Sequence, residues 1–76
     1  MVTVLFFASL REQTGQSKVE LDWQEGLTAG GLWQQIVGDD GIHESTLIAC
    51  NQEYCQADKA VVDGDEIAFF PPVTGG

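Results

Sequence analysis

The chain has 76 residues, 43% of them apolar, and its 12 acidic against 3 basic side chains give a formal net charge of −9. That length allows one small domain around a single core, and that charge excludes nucleic acid as a partner, because phosphate backbones would be repelled. No apolar run approaches the roughly 20 residues of a membrane span and no secretory signal pattern is seen, so the expectation is a cytoplasmic protein without membrane contact, whose acidity favours encounter with a basic protein partner.

Residues 2–8 form an apolar run rich in β-branched and aromatic side chains, the pattern of a strand. Val2, Val4 and Phe6 fall on one side, Leu5 and Phe7 on the other. A strand buried on one face should alternate more cleanly than this. One face is therefore expected to cover the core and the other to meet a partner. Residues 9–17 read as a polar connection carrying Arg11, Glu12 and Gly15. Residues 18–23 alternate again, with Val19, Leu21 and Trp23 set against Glu20 and Asp22. They predict a second strand, hairpin-paired with the first.

Thr28 suits a helix N-cap, because its hydroxyl can accept from the orphan amides of the first turn. Leu27 before it and Leu32 within the helix fit a hydrophobic staple. Leu32, Trp33, Ile36 and Val37 make one apolar stripe at helical spacing, and Gly38 suits the C′ position. The Trp33 stripe reads as core, not as a cofactor site. Gly30 and Gly31 each cost up to about 1 kcal/mol relative to alanine, so this helix is expected to need the sheet to hold it.

Residues 39–45 read as a polar loop with a solvated His43, and residues 46–51 as a third strand. Asn51-Gln52-Glu53 is turn-like, and residues 54–62 are expected to contain a short irregular strand. Asp63-Gly64-Asp65 is a tight-turn signal between apolar runs. Residues 66–70 form the final strand, with Ile67 and Phe69 inward and Ala68 and Phe70 outward. Cys50 and Cys55 match neither a CxxC motif nor a four-ligand zinc pattern and read as reduced thiols. No serine–histidine–acid set, phosphate loop or metal cluster is present, which argues against an autonomous enzyme.

Strand, strand, helix and further strands predict an α+β domain of the β-grasp type, a mixed sheet with one main helix across one face. Residues 1–70 form the domain and residues 71–76 an extended tail. Pro71 and Pro72 lack the amide needed for pairing and stop the sheet. The six residues from Pro71 to Gly76 can span on the order of 20 Å when extended. Gly75 and Gly76 lack Cβ atoms and can pass through a channel too narrow for other residues. The bland alternative is an ordinary frayed end.

Val4-Leu5-Phe6-Phe7-Ala8 followed by Leu10-Arg11-Glu12, the helix opened by Thr28, Asn51-Gln52, Asp63-Gly64-Asp65-Glu66, and the ending Ala68-Phe69-Phe70-Pro71-Pro72-Val73-Thr74-Gly75-Gly76 together resemble the small subunits of molybdopterin synthase, which are ubiquitin-like sulfur carriers. The resemblance runs nearly the whole chain and is most specific at its end; Gly30-Gly31 departs from the better helix formers expected there. It implies a sulfur-donating subunit without a catalytic pocket of its own. An adenylating enzyme of the ubiquitin-activating type would use ATP and magnesium to activate Gly76, with Gly75 beside it. A persulfide donor would then convert Gly76 to a thiocarboxylate. Sulfur would pass to cyclic pyranopterin monophosphate inside the large subunit, in a heterotetramer, during molybdenum cofactor biosynthesis. No stably bound cofactor or metal is implied for this chain itself.

For partner contacts the expectation is the tail, through Pro71, Pro72, Val73 and Thr74, and an outer aromatic patch of Phe7 and Phe70 joined by Tyr54. Arg11 is expected to pair with an acidic group of the adenylating enzyme; a solvated arginine is its alternative, and an incompletely covered core is that of the patch. The alternatives in function are a sulfur carrier of thiamine synthesis or tRNA thiolation, or a ubiquitin-like protein modifier, which share the fold and the Gly-Gly end.

Overall fold

The computed structural model describes residues 1–38 and 46–71. The expected loop at 39–45 with His43, and the tail positions Pro72, Val73, Thr74, Gly75 and Gly76, lie outside the described residues. The described elements are β1 (Val2–Phe6), α1 (Ser9–Thr14), β2 (Lys18–Leu21), α2 (Ala29–Val37), β3 (Leu47–Cys50), β4 (Glu53–Cys55) and β5 (Glu66–Phe70). The strands form one sheet in the order β2-β1-β5-β3-β4. β1 runs parallel to β5 and every other pair is antiparallel. A mixed sheet with a helix on one face is the β-grasp fold.

Alternation decides which side chains enter the core. Val2, Val4 and Phe6 from β1 are buried, as are Ile67 and Phe69 from β5 and Ile48 and Cys50 from β3. Ala29, Leu32 and Trp33 of α2 close over them, with Ile36 and Val37 packed at the margin. The Trp33 ring meets Phe69 edge-on at 5.2 Å and Phe6 at 6.1 Å. Burying a side chain such as Phe69 contributes about 1.5–3 kcal/mol, which is what holds a nine-residue helix that would be marginal alone.

The start of α2 leaves no amide of its first turn unpaired. Ala29 donates to the Lys59 carbonyl, Gly30 to Ala57, Gly31 to the Thr28 hydroxyl at 3.1 Å and Leu32 to the Thr28 carbonyl. Gly38 ends the helix in the left-handed conformation. The segment after β4 therefore crosses directly beneath the helix N-terminus, and this crossing gives Gly30 its role. A Cβ at Gly30 would lie 3.2 Å from both the carbonyl oxygen and the Cβ of Ala57.

Three expectations need correction. The connection at 9–17 contains α1, and its Leu10 is buried in the core; six residues are too few to show helical periodicity. The second strand ends at Leu21, so Trp23 lies beyond it and is 39% exposed, with its indole N–H donating to the Val61 carbonyl at 2.6 Å. The third strand is limited to Leu47–Cys50, because Asn51 and Gln52 both take positive φ, 51° and 71°, and turn the chain tightly into β4. Two central residues with positive φ match the twist of a hairpin.

Asn51 also ties this hairpin to β5. Its amide group donates to Asp65 at 2.8 Å while its carbonyl oxygen accepts from the Glu66 amide at 2.9 Å. The Asp65 carboxylate is buried and also accepts from the Val62 amide at 2.9 Å. The Val62 amide, with help from Asn51 and the Cys50 thiol, holds the Asp65 carboxyl below the usual carboxylate range.

Candidate functional site

Parallel pairing of β1 with β5 brings the ends of both strands to one edge of the domain. α1 departs from β1 there, and Pro71 leads out of β5 beside it. The ladder continues one step past β1, since the Phe7 amide donates to the Phe69 carbonyl at 3.2 Å. Phe7 and Phe70 consequently stand side by side on the outer face, stacked with centroids 4.8 Å apart and planes 5° apart. Phe7 is 41% exposed and Phe70 half-buried. The root of the tail is thus flanked by an aromatic pair that faces solvent.

Between Phe7 and α1 the backbone turns sharply at Ala8, with φ 54° and ψ −128°. A side chain in this region is strained, because its Cβ crowds the backbone. The Ala8 carbonyl accepts from the Arg11 amide at 3.0 Å, which sets Arg11 within the first turn of α1, where it is exposed. Among the described residues Arg11 makes no salt bridge.

The rest of the outer face follows from register. Leu5 stands opposite Ala68, Ala68 opposite Ala49, and Ala49 opposite Tyr54. Leu47 stands opposite Phe70. Ala68 and Ala49, both buried, lie between the phenylalanine pair and Tyr54, which is 75% exposed. Tyr54 therefore shares the face but does not join the stack, because β3 separates its strand from β5.

The environment of both cysteines favours the thiol form. Both thiols are free, Cys50 buried and Cys55 half-buried. Burial raises the pKa of each, and at Cys50 the adjacent Asp65 adds to the effect. A raised pKa disfavours the thiolate, the form that attacks. Among the described residues no group of histidine, cysteine and carboxylate side chains could hold a metal ion, and no helix is long and apolar enough to cross a membrane.

Sequence reasoning missed Leu10, which anchors α1, and Ala8, whose strained turn leads from β1 into α1. A lone leucine in a polar stretch followed by Gly15 was the available signal: Gly15 ends α1 in the left-handed conformation.

A mixed five-stranded sheet with a helix across one face, in a sequence that ends Pro-Pro-Val-Thr-Gly-Gly, places the chain among the small ubiquitin-like proteins. The chain belongs to the ThiS family, matched over residues 4–76. It is 40% identical to the molybdopterin synthase sulfur carrier subunit of Haemophilus influenzae and 38% identical to that of Escherichia coli, each alignment covering 100% of both chains. Its fold is similar to the crystal structure of SAMP1 from Haloferax volcanii, with a TM-score of 0.82 and 31% identity over 99% of this chain and 98% of that one.

Proposed function

We propose that this chain is the sulfur carrier subunit of a molybdopterin synthase and that Gly76 carries the sulfur as a thiocarboxylate. The supporting observation is the end-to-end similarity to subunits of that name. The geometry at the end of β5 fits it: a partly exposed aromatic pair and an exposed Arg11 offer a partner something to grip. Stacked, partly exposed aromatics are a favoured component of interface cores.

The chemistry follows from the carboxylate. Its negative charge resists nucleophilic attack, so it must first be activated. An adenylating partner uses ATP and magnesium to join Gly76 to AMP, with pyrophosphate leaving. A persulfide sulfur then attacks the acyl carbon and AMP leaves; reductive cleavage of the resulting acyl disulfide by a thiol gives C(=O)–S⁻. Thiolate sulfur is a strong nucleophile. In the large subunit it transfers to the cyclic pyranopterin substrate, and hydrolysis returns Gly76 as a carboxylate. Two sulfurs are needed for a dithiolene, which fits a heterotetramer with two small subunits. Neither ATP nor magnesium is held by this chain in this scheme.

A second reading has a specific observation behind it. The similarity to SAMP1, and the 33% identity to the small archaeal modifier protein 1 of Haloferax volcanii, favour a protein modifier, whose Gly76 would join lysine amines. Intact-mass spectrometry decides the main reading. After incubation with an adenylating enzyme of this family, ATP and a sulfur donor, the chain should gain the mass difference of one sulfur over one oxygen, localised to the C-terminal fragment. Sulfur on Cys50 or Cys55 instead, or ladders of larger Gly76-dependent conjugates in cell extract with no thiocarboxylate, would overturn it.

A further inference from the structure

Among the described residues the sheet ends on one side at β2, and the ladder with β1 fixes which groups of β2 face outward. Phe6 donates its amide to the Ser17 carbonyl at 3.0 Å, and Val4 and Val2 stand opposite Val19 and Leu21. Hydrogen-bonded pairs recur at every second residue of an antiparallel ladder. Ser17, Val19 and Leu21 therefore direct their main-chain groups to β1, while Lys18 and Glu20 turn theirs to the open edge.

The side chains along this edge alternate as well. Val19 and Leu21 lie on the core side, only half-buried. Trp23 follows, partly exposed and held by its indole N–H on the Val61 carbonyl. On the outer side stand Lys18 and Glu20, both mostly exposed and paired with each other at 3.8 Å. An exposed ion pair of this kind is weak and open to exchange with a partner's charges. Exposed Asp22 comes next along the chain. The edge thus offers open donors and acceptors, an incompletely covered apolar stripe, and a charge order of one cation followed by two carboxylates. The opposite edge, β4, has three residues and no such stripe.

We propose that β2 docks an extended segment of a partner protein, which adds to the sheet as a further antiparallel strand. Open edges are templates for strand addition, where main-chain bonds give affinity and alternate side chains give specificity. Charge selects the occupant. Basic side chains should lie opposite Glu20 and Asp22, an acidic one opposite Lys18, and apolar ones between them over Val19, Leu21 and Trp23. Opposite charges across a strand pair are favourable and like charges unfavourable. A second copy is disfavoured, since each carries a net charge of −9. β2 and β5 flank β1 on opposite sides, so this docking leaves Phe70 and Pro71 accessible. The inference goes beyond the sulfur-carrier reading and does not depend on it.

The test titrates the full isotope-labelled chain with the blocked peptide Val-Arg-Ile-Arg-Val-Glu, followed by NMR. The amides of Lys18 and Glu20 and the Trp23 indole N–H should shift, and both amides should exchange more slowly with solvent. The charge-reversed peptide Val-Glu-Ile-Glu-Val-Lys should bind about tenfold more weakly. Glu20→Pro removes only an outward-facing amide, so the spectrum should stay dispersed while binding is lost. Glu20→Lys keeps that amide and should weaken the first peptide, which decides the matter if the proline variant does not fold. Shifts confined to Phe7, Tyr54 and Phe70, equal binding of the two peptides, undiminished binding by a folded Glu20→Pro variant, or dimerisation through β2 without peptide would each overturn the proposal.

Discussion

The Gly30 amide donates to the Ala57 carbonyl at 2.8 Å, and this bond brings two backbones into direct contact at the start of α2. A methyl group at position 30 would press against both the carbonyl oxygen and the side chain of Ala57. Helix propensity alone predicts that Gly30→Ala stabilises by up to about 1 kcal/mol. Overpacking of a fixed contact costs about 1–3 kcal/mol. The clash should win, because the Ala57 oxygen is held by the bond that defines the crossing. Gly30→Ala should therefore lower Tm by several degrees, about 4–8 °C for each 1 kcal/mol in a domain of this size. A rise in Tm would show that the crossing segment yields.

This position also shows where the sequence becomes silent. A glycine pair in a helix looks like a weakness when only its own segment is read; its reason lies in a segment that arrives after β4. The main helix was legible because its N-cap, stripe and C′ glycine are local signals, and all three are realised at Thr28, Leu32–Trp33 and Gly38. β5 was legible because alternation separates Ile67 and Phe69 from Ala68 and Phe70. α1 was not, since a single turn and a half carries no period. The outward direction of Phe7 and Phe70 could be read from alternation, but their stacking needs the parallel neighbours β1 and β5. Tyr54 was expected beside them, and strand order alone places β3 in between.

Asp65 should make stability depend on pH. Its folded pKa is held down, chiefly by the Val62 amide. The sign for a depressed carboxyl is that its stabilisation is fully present above the unfolded value, about 3.9, and is lost as pH falls through the lower folded value. Asp65→Asn cannot lose a proton, so its Tm should change less than that of the wild type as pH is lowered below about 4. At neutral pH the variant should be less stable by about 1–3 kcal/mol, the cost of disrupting a buried hydrogen-bonded group. Parallel acid-limb slopes for the two proteins would remove Asp65 as a source of the dependence.

Phe70 should matter more for binding than for folding. It is half-buried, and much of its packing comes from the Phe7 stack. If the proposed function holds, Phe70→Ala should weaken association with the synthase large subunit by about 2 kcal/mol or more, the size expected of an aromatic hot spot. The companion Phe7→Ala should show a similar loss, and the double variant should lose less than the sum, because the rings act as a pair. Calorimetry on both singles and the double measures this. Unchanged affinity in the single variants would return the stack to a role in covering the sheet.

The last expectation concerns reach. If Gly76 reacts, its carboxylate must arrive at two different sites, first beside ATP in the adenylating enzyme and then beside the pterin substrate in the large subunit. Pro71 fixes the departure from β5, so the distance to the reacting carbon is set by the number of residues that follow. One residue added after Gly76 would move that carbon by about 3.3–3.6 Å, the advance per extended residue. Misplacement by 1 Å can cost about a hundredfold in rate, so the lengthened chain should support no thiocarboxylate formation, and deletion of Gly76 should be equally inactive. β5 is the last strand among the described residues, so both variants are expected to keep the wild-type Tm and, on the proposed function, much of the affinity for the large subunit through Phe7 and Phe70. Sulfur transfer is measured by intact mass and by conversion of the pterin precursor. A lengthened chain that still delivers sulfur without being trimmed would show that the reacting carbon is not that of Gly76.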